Sequence, residues 1–200
     1  MEKWMSGEKA LLIEGARRIG KSTIWEEFGK NEYESYLLID FAKKDKEVEG
    51  YFEKYLNDLD TFFMLLQTHF GTKLTERNSL IIFDEVQMFP QARAAIKYLV
   101  ADGRYDYIET GSLISIRENV KNIVIPSEER NINMYPLDFE EFAIALEEDL
   151  LVEYIKKCFE KREPLERSMH NQAMLLFHQY MLVGCLLYTS DAADDLIGVD

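Results

Sequence analysis

Cysteine is scarce in this chain of 200 residues, and Cys158 and Cys185 stand in no spacing typical of a metal site. The composition therefore does not indicate a disulfide scaffold. Apolar runs of about 18 residues are absent, which excludes a membrane-spanning helix. The N-terminus, MEKWMSGEK, has no apolar stretch, so a secretory signal is not predicted and the cytoplasm is the expected location.

Basic residues are also few: 23 Lys and Arg stand against 37 Asp and Glu, for a net charge of −14. Because binding to nucleic-acid phosphates needs clustered cations, this balance argues against a broad nucleic-acid-binding face on this segment. The hydrophobic fraction of 47% is ordinary for a globular protein. It suits one compact domain, or one domain with part of a second.

Residues 185–200, CLLYTSDAADDLIGVD, differ in character from the rest of the chain. They resemble the translation of a transposon-end sequencing adapter. We therefore expect this segment to be non-native, and we expect the natural chain to continue differently after Gly184. Such segments are left out of fold reasoning.

Short apolar runs alternate with helical patterns in the first two thirds of the chain. The predicted strands are Ala10–Glu14, Tyr36–Phe41, Leu80–Phe83, Tyr105–Thr110 and Asn122–Pro126, and the predicted helices are Lys21–Gly29, Tyr51–Phe70 and Pro90–Asp102. This alternation predicts an α/β fold, a three-layer αβα sandwich around a parallel sheet. We expect a domain over residues 1–136, since the chain becomes helix-rich after Pro136, and a helical subdomain or linker over 137–184.

The segment from Gly15 to Ser22, GARRIGKS, matches the phosphate-loop (Walker A) pattern GxxxxGK(S/T), with a strand before it and a helix after it. Its glycines allow backbone N–H groups to surround phosphate oxygens. Lys21 would bind the β- and γ-phosphates, and Ser22 would ligate Mg²⁺. The predicted nucleotide-binding residues are Gly15, Ala16, Arg17, Arg18, Ile19, Gly20, Lys21, Ser22 and Thr23.

A second motif, LIIFDE over residues 80–85, is typical of a Walker B strand. In that role Asp84 holds Mg²⁺ and Glu85 acts as general base toward the attacking water. Two further polar side chains, Thr110 and Ser112, lie at the end of the fourth predicted strand. The carboxyl ends of parallel strands point at the ligand, so both residues are candidate γ-phosphate sensors. Gln87 is a candidate to touch the same water.

Neither an LSGGQ signature nor an (N/T)KxD guanine motif is present, which disfavours ABC-type ATPases and GTPases. The succession GARRIGKST, LIIFDEVQ, YIETGS and MYPLDFEEF resembles the AAA+-type ATPases that join an AAA domain of the AAA_14 type to a C-terminal DUF4143 domain. The resemblance covers Lys9 to about Gly184, and MYPLDFEEF is its most discriminating part. It implies ATP binding, ATPase activity and a second domain cut off after Gly184.

AAA+-type hydrolysis usually uses an arginine finger, often from a neighbouring subunit, so a homo-oligomer is among the expected partners. The candidate arginines are Arg17, Arg18, Arg117 and Arg130, and the sequence does not choose among them. Two functions stay open: an Mg²⁺-dependent ATPase that drives a conformational change in a missing C-terminal domain, or a slow-turnover, nucleotide-gated binding module for DNA or a protein. A small-molecule kinase is a third and weaker hypothesis.

Overall fold

The computed structural model describes residues 9–17, 19–112 and 129–183. The chain divides into two compact units, and the division falls between Met134 and Tyr135. The first unit contains a β-sheet with helices on both faces. The described part of the second unit is helical.

The sheet of the first unit is parallel throughout the described residues. Its strands are β1 (Ala10–Gly15), β2 (Ser35–Asp40), β3 (Ser79–Asp84), β4 (Asp106–Ser112) and β5 (Glu129–Met134), in the order β2-β3-β4-β1-β5. Strand β4 therefore separates β1 from β3. Because all strands run in one direction, their carboxyl ends meet at one edge, where α/β sheets bind ligands.

Helices cover both faces of this sheet, as the alternation of strand side chains requires. Helix α1 (Lys21–Glu32) packs Trp25 on the face that includes Ile13 and Ile108. Helices α2 (Lys46–Tyr55), α3 (Leu59–Phe70) and α4 (Pro90–Asp102) build the larger core on the opposite face. The predicted three-layer αβα architecture is confirmed.

The single helix predicted over Tyr51–Phe70 is wrong, because the structure has two helices there. Helix α2 already begins at Lys46, and α3 begins after Asp58, whose side chain accepts a hydrogen bond from the Thr61 N–H at 3.2 Å. An aspartate at this position pairs with a backbone N–H that has no partner within the helix, and it therefore favours the start of a second helix.

The fifth predicted strand, Asn122–Pro126, lies outside the described residues. Strand β5 at Glu129–Met134 was not predicted, and its sequence ERNINM explains why. It lies at the edge of the sheet, where most of its side chains are exposed, so it lacks the apolar run that marks a buried strand.

In the second unit, α5 (Phe139–Ala145), α6 (Asp149–Lys161) and α7 (Arg167–Val183) surround a small core that includes Ala143, Leu151 and Leu176. Asp138 and Glu141 form a capping box at the start of α5. The assignment of residues 137–184 to the beginning of a larger domain stays a prediction. Across the ranges that the structure describes, no helix is long and apolar enough to cross a membrane.

Candidate nucleotide site

The loop between β1 and α1 requires glycine at both ends. Gly20 precedes α1 in the left-handed region, with φ of 84°, which side-chain-bearing residues rarely adopt. Gly15 ends β1 in a crowded place: an added Cβ would lie 2.5 Å from the Met134 carbonyl oxygen and 2.6 Å from Ile19 Cδ1. The spacing of the motif therefore follows from backbone conformation at one end and from close packing at the other.

The remaining loop residues differ in exposure. Ile19 is buried and anchors the loop, whereas Ala16 and Arg17 are exposed. Thr23 is exposed in the first turn of α1, where free backbone N–H groups make a helix N-terminus an anion site. Arg18 lies outside the described residues.

Lys21 is almost completely buried, with 6% of its surface exposed. Its Nζ donates hydrogen bonds to the carbonyl oxygens of Gly15 at 3.1 Å and Ala16 at 2.6 Å. Burial lowers the pKa of the Lys21 ammonium, while the carboxylates of Glu85 and Asp84 oppose that shift. The ammonium is thus held inside the loop, close to the two acids of the β3 motif.

Asp84 joins three segments of the chain through its carboxylate. Oδ2 accepts a hydrogen bond from Ser22 Oγ at 2.7 Å, and Oδ1 accepts one from the hydroxyl of Thr110. The Glu85 N–H lies 3.1 Å from the same Oδ1. Thr110 reaches Asp84 because β4 lies directly beside β3. We call Lys21, Ser22, Asp84 and Thr110 the phosphate-site cluster.

Glu85 follows β3 in the left-handed conformation, with φ of 51° and ψ of 44°. Such a conformation is uncommon for a residue with a side chain, and it often marks a functional position. The carboxylate accepts a hydrogen bond from the amide of Gln87, which is buried in the turn that follows. Glu85 therefore lies next to the phosphate-site cluster, and its carboxylate is hydrogen-bonded to Gln87.

The other predicted site residues are placed as follows. Ser112 ends β4, but its side chain lies outside the described part of the structure. Arg130 is an exposed residue of β5, and Arg117 lies outside the described residues. Arg17, the other described candidate, is an exposed residue of the phosphate loop, so the choice of an arginine finger stays open.

The donor set of the phosphate-site cluster fits Mg²⁺. A serine hydroxyl and a carboxylate oxygen 2.7 Å apart are both hard oxygen ligands, which this ion prefers. Among the described residues, no group of three or more His, Cys, Asp and Glu side chains is placed to hold a metal. A sparse protein ligand set is what Mg²⁺ uses when phosphates and water complete its shell.

A protein-family comparison decides the class of this site. A model described as AAA domain, of the AAA_14 type, matches residues 7–143, which is more than half of the chain. The chain belongs to this AAA domain family. It is therefore an ATP-binding protein of the AAA+ class, as the resemblance of its motifs implied. No curated protein matches the chain.

Among solved structures, this AAA domain protein is similar to the Orc1 protein of Aeropyrum pernix, whose structure was determined in complex with DNA. The identity is 9% and the TM-score is 0.46. The match covers 71% of this chain and 43% of that chain, so this chain spans less than half of the length of the Orc1 chain.

The AAA domain also contains a buried ionic cluster that sequence reasoning missed, formed by Arg93 of α4, Glu109 of β4 and Glu129 of β5. Arg93 Nε and Nη2 donate to the two carboxylate oxygens of Glu129 at 3.1 and 2.8 Å, and both side chains are at most 3% exposed. Glu109 is fully buried. The three residues come from distant segments, so no local spacing in the sequence could have indicated the cluster.

The buried ionic cluster contains two carboxyl groups, of Glu109 and Glu129, but a single cation, the guanidinium of Arg93. Burial raises the pKa of Glu109 well above its ordinary value, and the neighbouring Glu129 adds to that rise, whereas Arg93 opposes it. Burial therefore favours the protonated form of Glu109 over its charged form more than in an exposed glutamate. In that form Glu109 leaves Arg93 and Glu129 as a matched pair, without a second buried negative charge.

Proposed function

We propose that this AAA domain hydrolyses ATP to ADP and phosphate in the presence of Mg²⁺. The observation that carries the proposal is the carboxylate of Asp84, which binds Ser22 of the phosphate loop and Thr110 of β4 at once, with Glu85 as the next residue. This arrangement gathers, at one sheet edge, an ion-binding carboxylate, a phosphate-binding lysine and a carboxylate for proton transfer.

The residues divide into binding and chemical roles. The loop Gly15–Ser22 and Thr23 surround the phosphates, and Lys21 places its charge on them. Ser22 and Asp84 would hold Mg²⁺, which would neutralise charge on the phosphate oxygens. The hydroxyl of Thr110 and the residue Ser112 are the proposed sensors of the γ-phosphate.

In the chemical step, Glu85 acts as general base. The oxygen of a water molecule forms a bond to the γ-phosphorus while the bond from that phosphorus to the β–γ bridging oxygen breaks, and ADP leaves with the bond's electron pair. Glu85 accepts the proton that the water loses, and Lys21 offsets the negative charge of the phosphates. A positioned general base contributes roughly 10²- to 10⁴-fold in rate.

Phosphate release by the full chain, with Mg²⁺ and with EDTA, tests this proposal, together with the variant Glu85→Gln. We expect release to depend on Mg²⁺ and to fall about 10²- to 10⁴-fold in the variant, while ATP affinity is kept. The matched control is Glu53→Gln, since Glu53 is an exposed glutamate of α2. Equal rates for Glu85→Gln and the native protein would refute the proposal.

A finer proposal is that hydrolysis changes the conformation of a C-terminal region that begins with the second unit. Exposed apolar side chains on this unit support it: Leu150, Phe159 and Leu182 are each more than 80% exposed. A contiguous exposed apolar surface marks an interaction site, and we propose that these side chains belong to one. Hydrogen exchange on the full-length protein should therefore differ between the ATP-bound Glu85→Gln variant and the ADP-bound native protein beyond Tyr135.

The alternative function is a nucleotide-gated module that binds DNA or a protein and turns over slowly. ATP turnover slower than ATP dissociation would favour this alternative over a motor-like ATPase.

Sedimentation of the full-length protein with and without ATP tests for the homo-oligomer that a trans-acting arginine requires.

A further inference from the structure

Gln87 is an unusual residue to find buried in the turn after β3. The left-handed backbone of Glu85 reverses the chain, and a short 3₁₀ turn over Val86–Met88 follows, closed by a hydrogen bond of 2.8 Å from Met88 N to Glu85 O. This turn brings the Gln87 side chain back beside Glu85. Its Nε2 donates to Glu85 Oε2.

Burial of Gln87 costs free energy that an apolar residue would not. The residue is 3% exposed, and among the described residues its Oε1 has no hydrogen-bond partner. An unpaired buried polar group costs about 1–3 kcal/mol. Val86 precedes it, Phe89 lies two residues after it, and both are buried apolar residues. The amide is therefore poorly explained by stability.

The contact with Glu85 supplies a functional reason. A glutamate carboxylate has three rotatable bonds, and a general base must be held within hydrogen-bond reach of the proton that it accepts. One amide donor on Oε2 restrains the carboxylate and leaves Oε1 to receive the proton. We propose that Gln87 is a positioning residue, which fixes the Glu85 carboxylate for proton transfer; the inference rests on the hydrolysis proposed above.

The test is Gln87→Met in the full chain, a change that keeps the volume and removes the amide. We expect kcat for ATP to fall about 10- to 100-fold, because misplacement of a reacting group by about 1 Å costs roughly 10²-fold. The Kd for ATP should change less than twofold and Tm should not fall, since an unpaired amide is removed. Gln87→Glu, which places a second carboxylate beside Glu85, should lower kcat as well and gives a second variant.

The chain offers a matched control in Gln67 of α3. Its Nε2 donates to the Phe63 carbonyl at 3.2 Å and its Oε1 accepts from Leu74 N at 2.8 Å, so both ends of this amide are used structurally. Gln67→Met should therefore lower Tm and leave kcat within twofold. This is the reverse of the pattern expected for Gln87→Met.

A double-mutant cycle decides whether Gln87 acts through Glu85. In the Glu85→Gln background, Gln87→Met should change the residual rate less than twofold, because the base is already gone. An equal fall in both backgrounds would overturn the inference, as would an unchanged kcat in Gln87→Met. In either case the proposed function stands, provided that Glu85→Gln itself lowers hydrolysis as expected. If Glu85→Gln hydrolyses ATP like the native protein, the proposed function fails and this inference fails with it.

Discussion

The phosphate-site cluster and the buried ionic cluster lie one residue apart on β4, yet they face opposite sides of the sheet. Thr110 points to the face covered by α1 and reaches Asp84, whereas Glu109 points to the face covered by α4 and lies beside Arg93 and Glu129. Both groups combine carboxylates with donors. They differ in where they lie: one is at the carboxyl edge of the sheet beside the phosphate loop, and the other is under α4.

This difference determines what each cluster can do. At the carboxyl edge of the sheet, Ser22 Oγ donates a hydrogen bond to Asp84, and we expect an ion or a phosphate to replace this bond. In the core, the side chains of Arg93 and Glu129 are at most 3% exposed, so their ion pair is closed to ligands from solvent. We therefore expect the first cluster to take part in chemistry, whereas the second joins α4, β4 and β5. Variants of each should separate activity from stability.

The largest effect is expected from Arg93→Met in the ionic cluster. Removal of the guanidinium leaves Glu129 buried without its cation, which should lower the free energy of unfolding by about 3–5 kcal/mol. Denaturant titration measures this loss. The double variant Arg93→Met with Glu129→Leu should recover most of it, since no unpaired charge remains. A loss below about 1 kcal/mol for the single variant would show that the ion pair is not structural.

Lys21→Ala in the phosphate-site cluster should show the opposite pattern. Removal of one preorganised charge at a phosphate should lower ATP affinity or turnover about 10²- to 10³-fold. Stability should not fall, because Lys21 is a buried cation whose pKa is lowered by burial. Lys30→Ala is the matched control, since Lys30 is an exposed residue of α1 paired with Glu27. Calorimetric titration with ATP measures the affinity. A fall in Tm of Lys21→Ala comparable to that of Arg93→Met would contradict the separation of activity from stability between the two clusters.

Thr110→Val removes one hydroxyl from the cluster while the shape of the side chain is kept. Asp84 Oδ1 then keeps the Glu85 N–H but loses its hydroxyl donor, so we expect hydrolysis to fall about 10-fold, which corresponds to about 1.4 kcal/mol. ATP affinity should change little. The control is Thr68→Val, whose hydroxyl binds the Met64 carbonyl on the exposed side of α3. Hydrolysis that is unaffected by Thr110→Val would remove Thr110 from the site.

The smallest effect is expected from Glu109→Gln, and it depends on pH. The pKa of Glu109 is raised in the folded protein above its ordinary value of 4.5, so the folded state keeps a proton that the unfolded state loses. The stability that this proton contributes is complete below about pH 4.5 and declines as pH rises toward the folded pKa. Unfolding measured from pH 4 to pH 9 should show a weaker decline in Glu109→Gln. Parallel curves for the two proteins would contradict the raised pKa of Glu109.

The sequence predicted the members of the phosphate-site cluster because Lys21, Ser22 and Asp84 stand in two short motifs with fixed spacing, and Thr110 ends the fourth predicted strand. It predicted β1, β3 and α4 for a similar reason, since buried strands carry continuous apolar runs and Pro90 suits a first helical turn. It could not predict the ionic cluster, whose members join only when β4 and β5 assemble beside α4. It also missed β5, which is an exposed edge strand.

At the carboxyl edge of the sheet, the space beside the Gly15 Cα is too small for a side chain. The hydrogen atom on its Cα stands where a methyl group would meet the carbonyl of Met134, the residue at which the chain leaves the first unit. The glycine of the phosphate loop is thus required by the protein's own backbone even before any nucleotide arrives. A displacement of the loop by a fraction of an ångström at this glycine would therefore meet the last residue of β5.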